Sequence, residues 1–134
     1  MTYRLSLSRT ISADPARVFR ALTSSREIRR WSGQPGSVQA KIGGKFSFFG
    51  GWVTGTVLAY QAPRVLSYTW LTSEWPDGAL PSIVTFRLAR AKGGTRVTLV
   101  HKGLPNARER KEHKGGWDEF FFDLLEKMMK ERRA

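Results

Sequence analysis

The chain has 134 residues, with 23 Lys and Arg against 11 Asp and Glu, a formal charge of +12 and no cysteine. A length of this order suits one domain with a real core, expected to span residues 1–134. Disulfides and a thiolate nucleophile are excluded, and no apolar run approaches the ~18 residues of a membrane span.

The N-terminus, "MTYRLSLSRTISADPARVF", alternates polar and apolar residues. It lacks the continuous apolar segment of a signal peptide, so a cytoplasmic protein is expected. Residues 1–105 hold fifteen basic and four acidic residues, and residues 106–134 hold eight and seven. Only "REIRR" at 26–30 concentrates positive charge. Dispersed basic residues are the ordinary mark of a solvated surface, so no specific nucleic-acid partner is expected.

"YRLSLSRTI" puts Leu5, Leu7 and Ile11 on one face of a half-buried strand. "ADPARVFRAL" follows as a helix, with Asp14 as N-cap and Pro15 at the first helical position. "TSSREIRRW" forms a second short helix that starts at Ser24 or Ser25 and closes on Trp31. "KFSFF" and "WVTGTVLAY" flank Gly50-Gly51, a dipeptide suited to a two-residue hairpin turn. Ala62-Pro63 divides the second of these strands from "VLSYTWL". Lys92-Gly93 divides "IVTFRLAR" from "TRVTLVH".

These turns predict registers that can be compared. Pairing Phe49 with Trp52 sets Phe48 against Val53 and Phe46 against Gly55. Pairing Tyr60 with Val65 sets Val57 against Tyr68 and Gly55 against Trp70. Both put Phe46, Phe48, Val53, Gly55, Val57, Tyr68 and Trp70 on one face. The last hairpin pairs Val84 with His101, Phe86 with Leu99 and Leu88 with Val97. An antiparallel sheet with one apolar face is the consistent result.

The final helix opens at "LPNARE", where Asn106 and Glu109 form a capping box, and runs to about Glu131. Its apolar stripe is Trp117, Phe120, Phe121, Leu124, Leu125 and Met128, at helical spacing. Just before the stripe stand Gly115 and Gly116, each of which weakens a helix interior by roughly 1 kcal/mol relative to alanine. Two readings fit. The pair lets the helix approach the sheet closely and acts as a hinge, or the helix is broken there into two pieces.

The order β-α-α-β(6)-α, with the stretches "ADPARVFRALTSSREIRRW", "IGGKFSF", "GTVLAYQAPRVLSYTW", "VTFRLARAKGGTRVTLVHKGL" and "HKGGW", resembles the activator of Hsp90 ATPase homologue family. That family lies within the START-like and Bet v 1-like superfamily. The resemblance implies an α+β helix-grip fold, a curved antiparallel sheet wrapped around the long C-terminal helix with an internal cavity. It also implies that the cavity holds apolar small molecules, and that a chaperone of the Hsp90 type is an alternative partner. Relatives often carry an acidic residue around Ala59, which this chain lacks.

On that geometry the expected cavity wall is Trp31, Phe46, Phe48, Val57, Tyr68, Trp70, Phe86, Leu99, His101, Trp117, Phe120, Phe121 and Leu124. Small Gly55 and Ala59 on the same wall hint at unfilled space. Polar anchors would be Tyr68, His101 and the Trp70 and Trp117 N–H groups. His101 is the sole weak candidate for a buried base, and a cyclase- or hydrolase-like enzyme would use it with Tyr68. His113, four residues before Trp117, has stacking or a hydrogen bond as its ordinary role. Trp75, in the loop "TSEWPDGALPS", is a lid over the cavity, a partner contact or a loose surface residue. Phe49 and Trp52 fall on the outer sheet face as a small sticky patch.

Neither a metal site nor a cofactor is expected, since two histidines lack inward carboxylates. "IGGK" lacks phosphate-loop spacing, and no serine sits in a nucleophile-elbow motif. The leading expectation is therefore a binding domain for an apolar or aromatic small molecule rather than an enzyme.

Overall fold

Alternating apolar residues give seven strands, and the computed structural model describes residues 2–133. β1 (Tyr3–Ile11) leads into α1 (Pro15–Thr23) and α2 (Ser25–Ser32). Then come β2 (Ser37–Val38), β3 (Lys45–Phe48), β4 (Val53–Gln61), β5 (Val65–Thr72), β6 (Ser82–Ala91) and β7 (Gly94–Leu104). They form one curved antiparallel sheet in the order β1-β7-β6-β5-β4-β3-β2. The C-terminal helix is α3 (Ala107–Trp117), a π-type turn (Asp118–Phe122) and α4 (Asp123–Arg133). Among the described residues no helix is long and apolar enough to cross a membrane.

Local signals set the helix starts. The Asp14 carboxylate accepts from the Arg17 N–H, the Ser24 hydroxyl from the Glu27 N–H, and the Asn106 side chain from the Glu109 N–H. Each satisfies an amide that the helix itself leaves unpaired. The Trp31 indole donates to the Ala21 carbonyl at 2.8 Å and ties α2 to α1. Trp31 then stacks edge-on against Phe121 at 4.6 Å, which brings both short helices onto the C-terminal helix.

The predicted registers of β3 with β4 and of β6 with β7 are those observed: Phe48 faces Val53, Phe46 faces Gly55, Val84 faces His101 and Phe86 faces Leu99. Three local features differ from expectation. β4 keeps Val57 opposite Tyr68 but slips by one residue beyond it, so Tyr60 pairs with Leu66 instead of Val65. A bulge of this kind places two residues against one and reverses the faces that follow. Tyr60 therefore joins the inner face, edge-on to Phe19 at 5.2 Å, and Ala59 leaves the cavity wall to pair with Ser67. Gly55 does not mark empty space either. A Cβ there would lie 1.9 Å from the Thr69 carbonyl oxygen, so only glycine fits.

The second difference is the β3–β4 link, a four-residue connection where a two-residue turn was expected. Phe49, Gly50 and Gly51 have φ of 54°, 67° and 92°, three successive left-handed residues. Two of the three are glycines, for which that region carries no Cβ penalty.

The third lies in the C-terminal helix. The Asp123 N–H bonds the Asp118 carbonyl, five residues back, so the helix gains one residue per turn locally. Residues 117, 121, 122, 125, 128 and 129 are buried, and Phe120, expected in the stripe, is 56% exposed. The same turn lines up Asp118 and Asp123, and the Arg9 guanidinium of β1 grips both at 3.1 and 2.9 Å.

The glycine pair is neither a close-contact hinge nor a break. A Cβ on Gly115 would meet nothing within 4 Å, and one on Gly116 only the Phe120 ring at 3.9 Å. α3 runs through both. The missing side chains thus relieve no overlap, and their cost in helix propensity is uncompensated by packing. Gly115→Ala should raise stability by up to ~1 kcal/mol in urea melts. A loss of stability would show a contact at Gly115 that the geometry lacks.

Candidate ligand cavity

One end of the inner sheet face is closed by packed aromatic rings, and the other is open. In the closed part Phe46 stacks on Tyr68 at 3.7 Å, and Phe86 stacks on Phe121 at 5.6 Å. Trp31, Phe48, Val57 and Leu99 fill the rest of this core, each at most 4% exposed. None of these eight expected wall residues other than Phe121 lines the opening. The opening itself is a cavity of about 400 Å³ between the end of β5 and the face of α3. Of the expected residues, Trp70, Trp117, Phe120, Phe121 and Leu124 line it.

The remaining walls come from residues assigned elsewhere by sequence pattern. Phe49 and Trp52, at the two ends of the left-handed link, line the cavity rather than the outer face. Trp52 meets Trp70 edge-on at 6.3 Å and overlies His113 at 6.2 Å. Trp75 is 9% exposed, lies 6.0 Å from His113 and lines the cavity, so it is not a loose surface residue. Ser32, Gln34, Thr72, Glu74, Glu109, Glu112, His113 and Gly116 complete the lining. The sole sequence signal for Glu109, Glu112, His113 and Gly116 was their i, i+3, i+4, i+7 spacing on one side of α3.

Two indole–imidazole bonds make the floor. Trp70 donates its N–H to His113 Nε2 at 3.1 Å, and Trp117 donates to His101 Nδ1 at 3.1 Å. An indole nitrogen only donates, so each accepting nitrogen is bare and the proton of each neutral ring sits on its other nitrogen. His101 Nε2 then donates to the Ser82 hydroxyl at 2.8 Å, and Ser82 donates to the Trp70 carbonyl at 2.9 Å. His113 Nδ1 donates to the Glu109 carbonyl at 2.9 Å. Both nitrogens of both rings are engaged.

Electrostatics agree with neutral rings. Burial, with a smaller contribution from nearby His113, pushes the His101 pKa down to about 3. Burial also lowers that of His113, against the opposing pull of the Glu109 carbonyl and the Glu109 and Glu112 carboxylates. Tyr68 is fully buried, its pKa is raised by desolvation, and its hydroxyl has no partner among the described residues. His101 and Tyr68 are both outside the cavity lining, so this pair does not present an acid and a base to a molecule held there. Among the described residues no cluster of His, Asp or Glu is placed to hold a metal ion.

Comparison with known proteins gives a consistent answer. The family model described as "Activator of Hsp90 ATPase homolog 1-like protein" matches residues 12–130. The mouse activator of 90 kDa heat shock protein ATPase homolog 1 is 25% identical over 122 residues, covering 91% of this chain and 36% of the mouse protein. The human homolog 1 matches to the same extent, so the chain spans 36% of the length of these curated relatives. A crystal structure of an HSP90 activator from Plasmodium falciparum superposes with a TM-score of 0.82 at 25% identity, covering 96% of both chains. A protein from Mesorhizobium loti superposes with a TM-score of 0.77 at 28% identity, covering 98% of this chain and 99% of the other.

The floor carries a pH signature. A histidine with a lowered folded pKa takes up its proton in the unfolded chain first. Stability from His101 is therefore complete above the unfolded value near 6.5 and falls as pH drops toward about 3. The expected slope is about 1.4 kcal/mol per pH unit for each such ring, and His113 adds in the same direction. Denaturant melts between pH 7.5 and 4 should show it. His101→Gln should be less stable at pH 7.5 by about 1–3 kcal/mol and have a flatter acid slope. An unchanged slope would assign the acid sensitivity to other groups.

Proposed function

The chain belongs to the activator of Hsp90 ATPase homolog 1-like family, and from that premise we propose that it is a binding domain for a small apolar or aromatic molecule. The ligand lies between β5 and the C-terminal helix. The observation that carries this reading is the cavity of about 400 Å³ walled by Phe49, Trp52, Trp70, Trp75, Trp117 and Phe120. Concave, mostly apolar pockets of this size with few polar groups are the usual form of small-molecule sites.

Gly116 offers a direct test, since it lines the cavity and has room for a side chain. An environment-sensitive apolar dye should bind the parent protein saturably. Gly116→Leu should keep or raise the melting temperature through helix propensity and abolish that binding. Gly115→Leu, one residue away in open space, should gain the same propensity and bind the dye as before. Dye binding that survives Gly116→Leu would move the bound dye outside this cavity.

A second reading is supported by the relatives' names: the mouse and human proteins are activators of a 90 kDa heat shock protein ATPase. On this reading the domain docks on an Hsp90-type chaperone and alters its ATP turnover. The purified chain should then bind such a chaperone in a sedimentation or calorimetric titration and change its ATPase rate at least about twofold. Neither binding nor a rate change at roughly 100 μM, where a complex of even ~4–5 kcal/mol forms in part, would remove it.

A further inference from the structure

The charge of the cavity runs against the charge of the protein. The chain has 23 Lys and Arg, yet among the described residues none lines the cavity, while Glu74, Glu109 and Glu112 do. Glu112 spends part of its charge on Arg108 at 3.1 Å. Glu74 and Glu109 do not. Glu74 accepts the N–H of Trp52, a neutral donor, and the Glu109 carboxylate lies 3.4 Å from a neutral His113. Two carboxylates with no Lys or Arg partner among the described residues therefore sit on the wall of an aromatic cavity.

Most of the cavity's donors are already taken. The N–H groups of Trp52, Trp70 and Trp117 are all consumed inside the protein, as are both nitrogens of His113 and the hydroxyl of Ser32. The lining donors left without a protein partner among the described residues are the Trp75 indole N–H, the Gln34 amide and the Thr72 hydroxyl, beside the acceptors and π-faces of the walls. Thr72 is the one that points at an occupant by its burial: it is 3% exposed, and its hydroxyl has no partner among the described residues. A buried hydroxyl without a partner costs roughly 1–3 kcal/mol, a cost that a ligand N–H or a water can offset.

We infer that the cavity selects a small molecule with an aromatic or apolar body and a cationic amine, the amine held by Glu74, Glu109 and the indole faces and the body by the deeper rings. This rests on the cavity being a ligand site and adds the charge of what fills it. The physics is that of an aromatic cage. A ring face attracts a cation by its quadrupole, more strongly once water is excluded, and a nearby carboxylate adds a charge that the ring cannot. A carboxylate or phosphate ligand would instead face Glu74, Glu109 and Glu112, with no Lys or Arg among the described residues of the lining to pair with it.

Three naphthylalkyl probes of matched length separate the possibilities: a trimethylammonium, a neutral dimethylamide and a carboxylate. Binding is read from quenching of the tryptophans and by calorimetry. The expected order places the ammonium at least about tenfold tighter than the amide and the carboxylate weakest. Glu74→Gln with Glu109→Gln should bring ammonium and amide within about twofold of each other, with amide affinity unchanged. Should that double variant fail to fold, the ionic-strength dependence of the parent decides instead. Ammonium affinity should fall with salt between 20 and 500 mM and amide affinity should not. Equal affinity of ammonium and amide in the parent overturns the charge assignment and leaves the cavity reading intact. No binding by any of the three overturns the cavity reading itself.

Discussion

Two buried indole N–H groups govern the arrangement of this protein. A buried donor without an acceptor costs more than a hydrogen bond returns, so Trp70 and Trp117 each require one. The only acceptors they use are the two histidines of the chain, His113 on α3 and His101 on β7. Since Trp70 lies on β5 and Trp117 on α3, the bonds cross between sheet and helix in both directions. Ser82 on β6 closes the circuit by accepting a hydrogen bond from His101 Nε2–H and donating to the Trp70 carbonyl. β5, β6, β7 and α3 are thus held in one relative position by directional bonds, beyond what non-directional apolar packing fixes. Neutral imidazoles are a condition of the circuit, because a protonated ring could no longer accept from an indole.

The rest of the core follows from that fixed frame. With α3 seated at Trp117, the helix must present Phe121 and Phe122 together to the sheet, although adjacent residues on an α-helix diverge by about 100°. The π-type turn resolves this. It widens the buried face to include both rings and carries Phe120 out to the cavity mouth. Arg9 stabilises the extra residue by pairing Asp118 and Asp123, though side chains half exposed to water make each pair a modest contribution.

The regular parts of the fold close the core, and the irregular parts open the cavity. Its walls are the left-handed link at Phe49–Trp52, the loop bearing Glu74 and Trp75, and the start of the π-type turn. Each departs from a strand or helix period, and together with Trp70 and Thr72 of β5 and one face of α3 they line the opening. Such segments commonly carry binding residues on a rigid scaffold, and here the scaffold is the indole–imidazole circuit beneath them. Gly116 belongs to the same design: the absent side chain keeps the helix wall of the cavity open. Its neighbour Gly115 has no such account, since a side chain there would meet only solvent.

The sequence by itself determined the element order, the helix caps at Asp14 and Asn106 (for the second helix, Ser24 or Ser25), the registers of the β3–β4 and β6–β7 hairpins and the apolar inner face. These depend on interactions within a few residues or on a period of two, both of which are written along the chain. Tertiary structure alone decided the bulge after Val57, the inward turn of Phe49 and Trp52, the π-type turn and the burial of Trp75. It also decided which nine-tenths-buried rings pack shut and which face an opening. The physical reason is that an inserted residue reverses a face without altering composition, and the sequence pattern carries no mark of where the insertion falls. His101 illustrates the difference. Its place on the inner face was legible from the register, but its role was set by a tryptophan on another element.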